Sequence, residues 1–92
     1  MMESLVSREH FVPGRQETTR VLDTAVGILV GWQRCNTYAA FRELVRVSER
    51  HRLPIFAVAA ALVNLASKDE TQVASSAAKL AAEREWGLYS LL

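Results

Sequence analysis

One cysteine, two prolines and four glycines in 92 residues leave few structural devices open. Cys35 has no second thiol to bridge to, so no internal disulfide can staple the fold, and the expected setting is reducing and cytoplasmic. Neither His10 nor His51 has a cysteine or second histidine at ligand spacing, so no metal and no other cofactor is expected. Long apolar runs are also missing. The most apolar stretch, Pro54 to Ala66, spans 13 residues, against about 20 for a membrane span, and reads as a buried helix with no membrane partner. The first ten residues lack the early positive charge and apolar run of a secretory signal. Gly27 and Gly31 fall inside a helical pattern and not in a phosphate-binding loop. Asp69 and Glu70 sit where a helix start would use them against its macrodipole, and Ser48 lies on an apolar face as a packing residue. No catalytic constellation is left, and an enzyme is not expected.

What is present is a core. Half of the residues are hydrophobic, enough for one small domain. Net charge is only +1, yet residues 15–52 carry seven arginines against Glu17, Asp23, Glu43 and Glu49. A basic bias of this kind suits a polyanionic partner.

The pattern is helical throughout, and the fold class expected is all-α. Residues 1–16 read as an N-terminal arm ending near the Pro13-Gly14 turn signal. Val21, Leu22, Ala25, Ile28, Leu29 and Trp32 then mark one face of a helix over 17–33. Gly27 and Gly31 inside it suggest that another helix packs close, since each costs about 1 kcal/mol relative to Ala. Asn36 reads as the N-cap of a second helix over 37–51, burying Ala40, Phe41, Leu44, Val47 and Ser48. Pro54 opens a third over 54–66. Its core face is Ile55, Val58, Ala59, Leu62 and Ala66. Its opposite face, Ala57, Ala60, Ala61 and Asn64, is almost free of charge and suits close packing, either by a fourth helix or by a second copy of the chain. Ser67-Lys68-Asp69-Glu70 has the form of a capping box, placing a fourth helix over 69–86 with Gly87 as terminator. The organisation expected is therefore an arm (1–16), a three-helix bundle (17–66), and a C-terminal helix and tail (67–92).

From Arg20 to Val63 the order of elements is distinctive. Ala25-Val26-Gly27-Ile28-Leu29-Val30 is followed by Cys35-Asn36, then by Ala40-Phe41 and Leu44, then by Ser48, Ile55, Val58-Ala59, Leu62 and Val63, without a gap. This succession resembles the ANTAR domain, the RNA-binding output module of bacterial transcription-antitermination regulators. The resemblance implies a three-helix bundle, usually dimeric, that holds a hairpin in a nascent transcript. Departures fall on polar positions. Val26 stands where the family often has Lys, Phe56-Ala57 where it often has Arg-Asp, and Arg52-Leu53-Pro54 in place of a polar lead. Arg34 stands at the turn glycine, a strained choice if the backbone there is left-handed.

Two functions remain open. The first is an RNA-binding antitermination regulator. Arg42, Arg46 and Arg50, at i, i+4 and i+8, would meet phosphates about 6 Å apart, supported by Arg20, Arg34 and Arg52, with Tyr38 stacking on an unpaired base. The second is a protein-interaction or dimerisation module that keeps the bundle and has lost the RNA surface. Self-association, or pairing with another regulator of the same family, is expected in either case, through helix three or four.

Overall fold

A computed structural model describes residues 13–70 and 72–91, with side chains from residue 19 onward. All regular structure in this range is helical: α1 (Pro13–Gln33), α2 (Thr37–His51), α3 (Ile55–Ser67) and α4 (Ser76–Ser90).

Helix α1 begins at Pro13, ahead of the expected residue 17. Pro13-Gly14 is thus the first turn of the helix and not a turn before it, since a proline at the first helical position gives up an N–H that has no partner there anyway. The rest of the arm lies outside the described residues. Val21, Ala25 and Leu29 are buried, with Leu22, Ile28 and Trp32 packed on them. Gly27 and Gly31 do not serve close packing: both are exposed, and a Cβ built on either would meet nothing within 4 Å.

Asn36 starts α2 as expected, its Oδ1 accepting from the Ala39 amide at 2.8 Å. Ala40, Leu44, Val47 and Ser48 form its buried face. Phe41 is not part of it and stays 43% exposed. At about 100° per residue, Phe41 and Val47 flank Leu44 at about 60° on opposite sides, and only the Val47 flank is fully covered by the neighbouring helices.

Three of the helices end on a residue in the left-handed region: Arg34 (φ 54°), Arg52 (φ 57°) and Lys68 (φ 58°). Glycine would sit there without strain, whereas a side chain costs on the order of 1 kcal/mol. Each is a cation at a helix C-terminus, which recovers part of that cost from the macrodipole. After Arg52 and Lys68 the chain closes back, with Leu53 N–H donating to Ser48 O at 2.9 Å and Asp69 N–H to Asn64 O at 3.2 Å.

Helix α3 is the centre of the molecule, touching α1, α2 and α4. Val58, Ala59, Ala60, Ala61, Leu62 and Asn64 are all buried, as befits a helix apolar on every side. The alanine face is covered by α4 of the same chain, whose Ala78, Ala81, Ala82 and Trp86 are buried. Small side chains on both partners let the helices approach closely. That face is therefore not left open for a second copy.

The capping box at Ser67 does not form. Lys68 ends α3 in the left-handed conformation, and the Ser67 hydroxyl turns back toward the Asn64 carbonyl at 3.4 Å. The chain is instead held by Asn64, whose amide donates to Gln72 O and accepts from Gln72 N–H, both at 2.8 Å. Ser75 then caps α4, its Oγ accepting from Ala78 N–H at 3.1 Å. α4 thus starts at Ser76 and not at 69. It also runs through Gly87 to Ser90, because nothing near Gly87 requires the left-handed backbone that would stop it.

Candidate nucleic-acid interface

Along α2, each step of four residues advances about 40° around the axis. Arg42, Arg46 and Arg50 therefore wind from the open face of the helix toward the side where α4 packs. Their surroundings change accordingly.

Tyr38 is 71% exposed and Arg42 is exposed one turn further on. With Val45, Arg46 and Glu49 they line a shallow depression of about 510 Å³ on the α2 surface. Arg42 has no carboxylate within ion-pair distance among the described residues. This arrangement offers an aromatic face beside an uncommitted guanidinium, the two groups that take up an unpaired base and its phosphate.

Arg46 is paired through Nε and Nη2, although its side chain stays 48% exposed. Its Nε and Nη2 donate to Glu43 Oε1 and Oε2 at 3.0 and 2.9 Å, and Nη2 also donates to Glu85 Oε1 at 3.1 Å. Glu85 comes from α4. Its other oxygen lies 2.9 Å from His51 Nε2 and 3.6 Å from Arg50 Nε. Glu43 is fixed from α4 as well, accepting from the Trp86 indole N–H at 3.0 Å. Trp86 itself is wholly buried. One turn on, Tyr89 stacks on Trp32 of α1 with ring centroids 5.5 Å apart.

The remaining expected contacts disperse. Arg34 and Arg52 cap α1 and α2, one before α2 and one just past its end, with the 15-residue helix, roughly 22 Å long, between them. Arg20 lies beside Val21, Thr24, Val63 and Gln72, around a different and smaller hollow of about 130 Å³. The structure thus brings Tyr38, Arg42 and Arg46 together and leaves Arg20 apart. Glu43, Glu85, His51 and Trp86 join the site without having been expected there. Nothing local in the sequence marks Glu85, which is 39 residues from Arg46.

Two hydrogen bonds from Arg46 hold the Glu43 carboxyl below its ordinary 4.5 in spite of partial burial, helped by Trp86. For Glu85, burial pushes upward, but hydrogen bonds with His51 and Arg46 and the charges of Arg46 and Arg50 outweigh it, so it too lies below 4.5. Both folded-state values lie under the unfolded one. The stability these groups contribute is therefore complete above about pH 4.5 and fades as pH falls through the folded values. Thermal melts should show a midpoint that is flat near neutrality and drops below this pH, with Glu85→Gln dropping less steeply. A wild-type midpoint unchanged down to about pH 3 would refute the role of these pairs.

No group of acidic, histidine and cysteine side chains that could hold a metal occurs among the described residues, and none of their helices is long and apolar enough to cross a membrane. Comparison with curated proteins gave no match, and comparison with solved structures gave none. The pattern of the ANTAR domain matches residues 14–63, taking in α1 almost whole, α2, and α3 up to its last turn, and leaving α4 outside. With more than half of its length inside that pattern, the chain belongs to the ANTAR domain family, known as RNA-binding regulators of transcription antitermination.

Proposed function

We propose that this protein is an RNA-binding antitermination regulator that engages hairpins in nascent transcripts through the open face of α2. The observation that carries the reading is the uncovered pair Tyr38 and Arg42 beside the α2 depression, on a chain of this family. Tyr38 stacks on a loop base, Arg42 holds the adjacent phosphate, and Arg46 stands at the rim for the next one.

Fluorescence anisotropy with a labelled hairpin RNA tests this. Stacking is worth about 1–3 kcal/mol per base, so Tyr38→Ala is expected to weaken binding at least fivefold. Arg42→Glu should weaken it on the order of tenfold at low salt, and neither change should alter the helical circular-dichroism signal. The log–log salt slope is expected near −0.7 if Arg42 alone reaches phosphate and around −2 if all three arginines do. Absence of hairpin binding at low salt, or binding by both variants as tight as that of the wild type, would refute the proposal.

A second reading is favoured by one observation, the neutralisation of Arg46 and Arg50 by Glu43 and Glu85. In it the bundle is a protein-interaction module that no longer binds RNA and pairs with a second copy or with another regulator of the family. Its signature is a stable complex by sedimentation together with the failed RNA titration.

A further inference from the structure

Helix α4 lies outside the part of the chain that matches the family, yet it supplies or holds both carboxylates that face the arginine stripe. Glu85 is 10% exposed and offers one oxygen to Arg46 at 3.1 Å and the other to Arg50 at 3.6 Å and His51 at 2.9 Å. Trp86, adjacent in sequence and wholly buried, steadies Glu43 on Arg46 through its indole N–H. Glu85 thus takes one Nη2 hydrogen bond of Arg46 and lies in ion-pair range of Arg50, while Glu43 takes the Nε and Nη2 edge of Arg46; a phosphate would seek the same donors.

We propose that α4 is a built-in competitor for RNA, with the Glu85 carboxylate occupying the phosphate positions of Arg46 and Arg50. The inference rests on the RNA-binding reading above. Among the described residues Arg42 alone of the three has no ion-pair partner, so an RNA engages Arg42 and Tyr38 first; it reaches Arg50 by displacing Glu85, and Arg46 by displacing Glu85 and shifting Glu43. Exposed ion pairs are individually weak, and Arg46 and Arg50 retain 48% and 65% of their side-chain exposure. Glu85 therefore sets a threshold that a well-fitted RNA overcomes and does not lock the surface.

The test compares wild type, Glu85→Gln and Glu83→Gln by anisotropy with a labelled hairpin RNA at low salt. Glu83 is exposed on the same helix and has no ion-pair partner among the described residues, so its change removes an equal charge without touching the stripe. Glu85→Gln is expected to tighten binding roughly three- to fivefold, and Glu83→Gln by less than about 1.5-fold. In an Arg46→Gln/Arg50→Gln background the gain from Glu85→Gln should vanish. Thermal melts check that α4 stays docked. If Glu85→Gln does not fold, Glu85→Asp, which keeps the charge but withdraws the carboxylate by about 1.5 Å, is read in its place with the same expectation. Equal effects of the two glutamine variants, no effect of either, or a gain that persists without the arginines would overturn the competitor while wild-type binding upholds the RNA reading. If no form binds the hairpin, both fall.

Discussion

Trp86→Ala is expected to lower the melting temperature by at least about 12 °C. Removing a fully buried tryptophan costs about 3–5 kcal/mol, and each kcal/mol moves the midpoint of a domain this small by about 4–8 °C. Trp86 is the largest fully buried side chain, and α4 has no other large residue buried against the bundle. Its loss opens a cavity in the seam and removes the indole donor from Glu43. Total stabilities of small domains are about 5–15 kcal/mol, so the change takes a large share. Trp86→Phe keeps most of the volume but removes the indole N–H and leaves a smaller cavity; about 1–2 kcal/mol is expected. Thermal and urea melts measure both. A Trp86→Ala variant melting within a few degrees of wild type would show that α4 is not docked as described.

Ala61→Glu is expected to destabilise by about 1–3 kcal/mol. Ala61 is 2% exposed in the seam between α3 and α4. A glutamate there overpacks the seam, at about 1–3 kcal/mol, while its carboxylate can turn toward the open hollow that Ala61 borders together with Lys68 and Lys79. From sequence alone the same substitution tests for a dimer, because the alanine face could be covered by either partner. With α4 on that face in cis, the expected result is a loss of folding stability that does not depend on protein concentration. A midpoint that rises with concentration in wild type and loses that dependence in Ala61→Glu would put a second copy there instead.

The legible parts of this fold are those written in local signals. The α2 limits follow from the Asn36 cap and an apolar face of regular period, and the core of α1 follows from Val21, Ala25 and Leu29 four residues apart. The start of α4 was not legible, because Ser67-Lys68-Asp69-Glu70 has the letters of a capping box. The backbone there is committed elsewhere, by the left-handed Lys68 and by the side chain of Asn64 reaching eight residues ahead to Gln72. Neither constraint shows in residue type. Phe41 misled in a similar way, an aromatic in an apolar motif that the helical phase carries to the rim. The arginine stripe of the candidate site was readable as a spacing on one helix. Its commitments were not, since whether Arg46 is free depends on Glu85 at the far end of the chain. Long-range pairs of this kind are set by how helices dock, and no window of sequence contains both partners.

The position of α4 after the three-helix bundle in chain order also has a consequence in time. Contacts between elements close in sequence form sooner than those that close a long loop, so during folding Glu85 reaches Arg46, 39 residues away, after the shorter-range pairs are made. Before then α1, α2 and α3 can already associate through contacts that are close in sequence, while the alanine face of α3 is bare and Arg46 and Arg50 lack their partner from α4. A folding molecule thus passes through a brief stage that is stickier and more basic at that surface than the finished one. Arrival of α4 ends that stage by hiding the apolar face and neutralising the adjoining charge in a single docking event.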